Sequence, residues 1–284
     1  MAGSDFLRRE VAARMFERLE LIKLSPQRVL DAGCGEGADL PVLQQRFQEA
    51  QLFGLDASPA MLAQAQFRQS SASSSMSRLF SRLLGKGSAQ ARPGTPELVC
   101  ADFARLPFAG ASLGLVWSNL ALHWHPHPDQ VFEEWKRVLQ TDGLLMFSCF
   151  GPDTLRQLRA VQDAASGLPQ VLPFVDMHDL GDMLVHAGFA TPVMDMEMLT
   201  LTYETPEALV ADVRALGGNP MTTRRPGLSS PSARARVLKS LEGMRNAEGR
   251  LELSIELVYG HAFKPLPRTT SSGEAIVRFA PRKA

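Results

Sequence analysis

The chain has 284 residues, 45% hydrophobic and 21% charged, a balance that supports a packed core and excludes wholesale disorder or a fibrous repeat. Its 30 Lys+Arg and 30 Asp+Glu cancel, so no global charge favours nucleic acid or a membrane surface, although separated patches remain open. Cys34, Cys100 and Cys149 form no CxxC pair, which argues against a disulfide framework and a structural zinc site. A reducing, cytoplasmic setting is expected. The charged N-terminus does not read as a signal peptide, and no run reaches the ~20 apolar residues of a membrane span.

In chain order, Phe6, Val11, Met15, Phe16, Leu19 and Ile22 recur at helical spacing and predict a helix over 5–21. A buried strand follows at 28–31, and it runs into the glycine-rich turn Gly33, Gly35 and Gly37. Next come a helix over 38–47, a strand over 51–56 and a helix opening at Ser58-Pro59, with proline at its first position. A third strand covers 98–101 and a fourth 113–118. A helix spans 129–139 and a fifth strand 144–148. Alternating strands and helices predict an α/β fold: a parallel Rossmann-like sheet with helices on both faces.

Past residue 151 the alternation loosens. Helices are expected at 154–165, 178–187, 206–216 and 232–246, and strands at 198–203, 251–259 and 275–279. The expected organisation is one domain over 1–284. It has an N-terminal helix (1–26), a cofactor core (27–150), a mainly helical substrate cap (151–250), and closing strands with a tail (251–284). Residues 68–96 stand apart. They are serine-rich, carry Arg68, Arg78, Arg82, Lys86 and Arg92 without an acid, and read as a flexible basic insertion.

The turn after the first strand carries GxGxG rather than the GxGxxG of a dinucleotide site. Asp31 precedes it and Glu36 lies within it. Acids are poor neighbours for phosphate and suit a ligand with a cationic head, an amino acid joined to a sulfonium. The expected cofactor is therefore S-adenosylmethionine. Asp56, at the end of the second strand, suits the ribose hydroxyls. Asp102 suits the adenine amine, with Phe103 stacking nearby. Asn119, at the end of the fourth strand, joins this set.

These residues resemble the class I S-adenosylmethionine-dependent methyltransferases over roughly residues 29–150. The resemblance implies that Gly33, Gly35 and Gly37 hold the methionine part, Asp56 the ribose and Asp102 the adenine. The fourth strand ends in SNLALHW without the Asp/Asn-Pro-Pro-aromatic motif of DNA amino methylases, which argues against base methylation. SNLALHW, RVLQTDGLLMFSCFGPDTLRQLR and FVDMHDLGDMLVHAGF resemble the malonyl-acyl-carrier-protein O-methyltransferases that start the biotin pimelate chain. FGPDTLRQLR and DLGDMLVHAGF also resemble a mitochondrial complex I assembly factor of the same fold. A quinone or other small-molecule methyltransferase is a further alternative.

The reaction so implied is methylation of the free carboxylate of a malonyl thioester on acyl carrier protein. His123, Trp124, Arg156 and Tyr203 are the candidate acceptor-pocket residues, with Arg156 or Arg159 as a partner for the carboxylate. No residue is singled out as a catalytic base. A family tyrosine near the last strands has Ser254 and Ile255 in its place here, with Tyr259 later. His123, His125 and His127 alternate in a proline-rich turn, which argues for a solvated loop over a metal site. Residues 213–250 hold eight basic residues (Arg214, Arg224, Arg225, Arg234, Arg236, Lys239, Arg245, Arg250) against Glu242 and Glu248. That excess predicts a docking face for an acidic carrier protein.

Overall fold

The computed structural model describes residues 2–81, 95–166, 172–216 and 230–267. Helix α1 spans Ala2–Glu20 and β1 Arg28–Ala32, followed by α2 (Leu40–Arg46), β2 (Gln51–Asp56), α3 (Pro59–Ser81) and β3 (Glu97–Cys100). Then come β4 (Leu113–Ser118), α4 (Pro128–Val138), β5 (Leu139–Phe150), α5 (Arg156–Ser166) and α6 (Met177–His186). The described chain finishes with β6 (Ala190–Tyr203), α7 (Pro206–Ala215), α8 (Pro231–Glu242) and β7 (Leu251–Phe263).

The seven strands form one sheet in the order β3-β2-β1-β4-β5-β7-β6, with β7 antiparallel to both neighbours. Strands covered on both faces need continuous apolar runs. β1 is buried from Val29 to Ala32, and β4 is buried throughout. One core layer joins α1, α2, α5, α7 and α8 to the sheet through residues such as Leu7, Met15, Leu43, Leu158, Leu209 and Leu241. The other holds Val131, Phe132 and Trp135 of α4 and Leu180 and Leu184 of α6. α4 fits that role because Pro128 opens it and Val131, Phe132, Trp135 and Val138 repeat on one face. Asp176, Thr205 and Ser230 cap α6, α7 and α8 by accepting backbone N–H bonds from His178, Ala208 and Ala233.

Several boundaries differ from the expectation. β5 begins at Leu139 because it absorbs the 142–143 turn, with Asp142 at φ +60°. β6 begins at Ala190, and a register shift between Ala190 and Val193 disguises its start. α3 continues through the serine run to Ser81, so the first part of the 68–96 segment is helical rather than loop. Residues 82–94 and the strand expected at 275–279 lie outside the described residues. Residues 151–250 are not one helical layer: they supply β6 to the sheet, and α6 packs on the opposite face from α5, α7 and α8.

After β5 the chain turns sharply. Gly151 N–H donates to the Glu256 carbonyl, Thr154 Oγ1 donates to the same carbonyl, and Asp153 N–H donates to the Glu256 carboxylate at 2.6 Å. A side chain at Gly151 would meet Glu256 Cδ at 2.4 Å, so this turn needs glycine. Leu155 follows at φ +59° and sends α5 onto the face that carries α1.

Candidate functional site

β1 ends in a turn whose three glycines, Gly33, Gly35 and Gly37, sit at φ +79°, +54° and +71°. The N–H groups of Gly33 and Cys34 donate to the Leu55 carbonyl at 2.8 and 2.9 Å, tying the turn to β2. Asp56 braces it from the end of β2. One carboxylate oxygen accepts from Gly35 N–H at 2.9 Å and the other from Ser58 N–H at 2.8 Å. Each oxygen keeps a lone pair for a hydroxyl donor. Asp102 follows β3, is exposed, and accepts from Ala104 N–H at 2.9 Å. The Phe103 ring lies 3.7 Å from where a Gly33 side chain would begin, and Trp135 fixes its backbone by donating Nε1–H to the Phe103 carbonyl. Asp31, Gly33, Gly35, Gly37, Asp56, Asp102 and Phe103 thus meet at the carboxyl ends of β1, β2 and β3. The crevice lies where the strand order reverses between β1 and β4, the usual ligand position in such sheets.

The floor of this crevice is acidic. Asp31 is 2% exposed, and burial, reinforced by the nearby Asp39 and Asp56 charges, pushes its pKa well above the usual carboxylate range. Burial likewise raises Asp39, opposed by hydrogen bonds from Trp117 and Asn119. Burial and the same acids raise the Cys34 thiol, so it stays protonated. Arg8 of α1 is the compensating cation; its Nη1 lies 3.7 Å from where a Gly35 side chain would begin. Nothing in the sequence pattern singles out Arg8, because its position depends on how α1 packs. A pyrophosphate would push the Asp31 and Asp39 carboxyls further toward their neutral forms, whereas a sulfonium and an ammonium favour the carboxylates. The cradle therefore fits the expected cofactor.

Asn119 does not line that cradle as a free group. Its Nδ2 donates to the Arg8 carbonyl (3.2 Å) and Asp39 (3.0 Å), and its Oδ1 accepts from Ser148 Oγ (3.0 Å). Trp117 Nε1 donates to the same Asp39 oxygen at 2.9 Å. Asn119 is a positioning residue that locks α1, α2, β4 and β5 together.

Beyond the crevice, a cavity of about 380 Å³ opens between the segment after β4 and the loop before α6. Leu122, Trp124, Phe150, Phe174 and Leu180 form much of its wall, together with His123. The two sites adjoin, since a side chain at Gly33 would meet Ala121 Cβ at 2.4 Å. His123 packs against Phe150 (4.5 Å between ring centroids) and Phe174 (5.7 Å). Burial lowers its pKa to about 3. The ring is therefore neutral in the folded state from about pH 3 upward, whereas an unfolded histidine takes up a proton near ~6.5. Between these values the unfolded chain binds more protons, so stability is full above ~6.5 and declines as pH falls. Urea unfolding is expected to show His123→Gln losing about 1.4 kcal/mol less stability than the parent per pH unit below ~6. Parallel pH dependences for the two proteins would contradict this.

The remaining acceptor-side candidates, Arg156, Arg159 and Tyr203, are elsewhere. Arg156 is exposed at the start of α5 and pairs with Asp153 at 3.6 Å. Arg159 is engaged with the Pro152 and Thr154 carbonyls. Tyr203, at the end of edge strand β6, donates its hydroxyl to Asp212 of α7 at 3.2 Å. None of the three lines the cavity: the 151–155 turn carries α5, with Arg156 and Arg159, to the opposite face of the sheet, and Tyr203 packs on that same face. Tyr259 lies beneath the Arg18 guanidinium at 4.2 Å, facing α1. His127 donates its N–H to His125 Nδ1, and no metal-type cluster occurs among the described residues.

On the cap, Arg245 pairs with Glu242, and Arg250 with Glu204. Arg234, Arg236 and Lys239 stand exposed on α8 and take part in no ion pair among the described residues. Arg224 and Arg225 lie outside the described residues. No helix among the described residues is long and apolar enough to cross a membrane.

Residues 30–147 match the methyltransferase domain family. The malonyl-[acyl-carrier protein] O-methyltransferase of Laribacter hongkongensis is 44% identical over 279 residues, 97% of this chain and 89% of that protein. That of Gallionella capsiferriformans is 45% identical over 277 residues, 97% of this chain and 90% of its own. Among solved structures, the YcgJ protein of Bacillus subtilis shares the fold at a TM-score of 0.60 and 12% identity, covering 89% of this chain and 98% of its own. The Haemonchus contortus phosphoethanolamine N-methyltransferase 2, solved with S-adenosyl-L-methionine, does so at 0.53 and 18%, covering 90% of this chain and 52% of its own.

Proposed function

The chain belongs to the malonyl-[acyl-carrier protein] O-methyltransferase family, and we propose that it methylates the free carboxylate of a malonyl thioester held on acyl carrier protein, using S-adenosylmethionine. One observation carries the reading: the relationship runs over 97% of the chain, cap included, and not only over the cofactor core at 30–147. Many chemistries share that core, so the acceptor is argued from the remainder.

The cofactor supplies a methyl group on a sulfonium, already electrophilic. Gly33, Gly35 and Gly37 give its methionine part close backbone approach, with Asp31 beneath. Asp56 accepts the ribose hydroxyls, and Asp102 with Phe103 takes the adenine. A malonyl carboxylate is ionised at neutral pH, its ordinary pKa lying near ~4, so no general base is needed. What remains for the protein is alignment and exclusion of water. Trp124, Phe150 and Phe174 wall the acceptor side with apolar surface.

Carrier recognition is assigned to the cap. Carrier proteins of this class are acidic, and Arg234, Arg236 and Lys239 give α8 three exposed cations with no acid before Glu242. Reversing all three to glutamate is expected to raise KM for malonyl-carrier protein about tenfold, as long-range steering and exposed pairs of ~0.5 kcal/mol are lost. Turnover of malonyl-coenzyme A should stay unchanged; an equal loss there would refute the docking role. The activity itself is tested by complementation. Expression should let a biotin-requiring bacterium that lacks such an enzyme grow without biotin. Failure of a well-expressed protein to do so would count against the reading.

A further inference from the structure

The cavity beside the glycine loop has an unusual balance of wall chemistry. Most of its wall is carbon: Leu122, Trp124, Phe150, Phe174, Val175 and Leu180. The Cys149 thiol, its pKa pushed up to about 12 by burial, stays neutral there. His125 also reaches the wall, but its Nδ1 accepts the His127 N–H and holds the proline-rich loop. His123 has no such tie. Its Nδ1 is shut off from solvent and has no hydrogen-bond partner among the described residues. A buried lone pair without a partner is less unfavourable than a buried N–H without one. The proton therefore sits on Nε2, and the ring offers the cavity a single neutral donor.

That inventory discriminates among parts of an acyl thioester. A carboxylate pressed onto an apolar wall with one neutral donor would lose most of its hydration uncompensated. A thioester carbonyl needs only one hydrogen bond. In a malonyl group the carbonyl is one methylene away from the carboxylate. The carboxylate can then lie at the glycine-loop side, where Ala121 adjoins Gly33, while the carbonyl reaches His123.

We infer that this cavity seats the acyl group and that His123 donates Nε2–H to the thioester carbonyl, making His123 the residue that selects for that carbonyl. The inference rests on the proposed reaction and adds to it a specificity determinant.

The test compares two acceptors on the same carrier protein. One is malonyl, and the other is a 2-carboxyethyl thioether, in which two hydrogens replace the carbonyl oxygen. Both present the same carboxylate. The parent enzyme is expected to favour the thioester about 30-fold in kcat/KM, the scale of one unmade hydrogen bond in a buried site. His123→Leu should bring that ratio to within about threefold, with cofactor affinity unchanged. His123→Gln, which retains an N–H donor, should restore most of it. A leucine variant that keeps the parent ratio overturns the inference. If His123→Leu does not fold, proton NMR of the parent enzyme decides. With S-adenosylhomocysteine bound, the His123 Nε2–H resonance should move with malonyl-pantetheine and not with the thioether. An unmoved resonance also overturns the inference. A parent enzyme that methylates neither acceptor instead refutes the proposed reaction.

Discussion

Gly33→Ala is expected to weaken cofactor binding by at least ~100-fold in calorimetric titration. Two effects act together. At φ +79° an L-residue is strained by about 1–2 kcal/mol. The new methyl would also start 2.4 Å from Ala121 Cβ, closer than carbon atoms approach. Neither partner has a side-chain torsion that relieves this, so the backbone must move. The loop after β1 and the segment after β4 would shift apart, and these form the two sides of the crevice. Displacement of about 1 Å in such a cradle is enough for a loss of that size. Thermal unfolding should register the change too, at roughly 2–4 °C per kcal/mol for a chain of this order. Gly33→Ala protein that binds cofactor within threefold of the parent would mean that the loop is not the cradle.

Trp117→Ala is expected to remove about 4 kcal/mol of stability, within the ~3–5 kcal/mol usual for truncating a buried Trp. Trp117 is completely buried on β4. Its ring stacks on Phe16 of α1 at 4.4 Å, and its Nε1 holds Asp39. Truncation opens a cavity, removes a donor from a buried carboxylate and frees the inner face of α1. Trp117→Phe keeps most of the packing and loses the hydrogen bond, so about 1–2 kcal/mol is expected. Urea midpoints of both variants check the ranking. A loss below 1 kcal/mol for Trp117→Ala would show that α1 is not anchored there. Because Asn119 also holds the Arg8 carbonyl, Trp117→Ala should weaken cofactor binding as a secondary effect.

The parallel half of the sheet was legible because each strand is a short apolar run ending in a turn residue or an acid. Asp31, Asp56 and Asp102 could be placed because their spacing follows the strand–helix alternation. The antiparallel half was harder. Asp142-Gly143 reads as a turn, yet β5 runs through it, and neither the bulge after Ala190 nor the positive φ of Leu155 falls on a glycine. That is why Arg156 reads as a pocket residue from its position after β5, whereas Leu155 turns α5 to the other face. Arg8 and Phe174 reach the site through long-range packing of α1 and the loop before α6, which no local pattern encodes. Asn119 reads from the sequence as a cofactor contact, whereas its hydrogen bonds to Arg8, Asp39 and Ser148 make it a brace for the cradle. The zero net charge is a sum of opposites: acids line the floor of the crevice, and unpaired cations stand on α8.

The central claim is transfer of a methyl group to a carrier-bound malonyl carboxylate. It is tested most directly by incubating the purified protein with methyl-labelled S-adenosylmethionine and malonyl-carrier protein, then weighing the carrier intact. The expected result is one added methyl that mild alkali removes as methanol, with no label on acetyl-carrier protein, which lacks the free carboxylate. Absence of label on the malonyl form from protein that binds the cofactor, or equal label on both forms, would contradict the account.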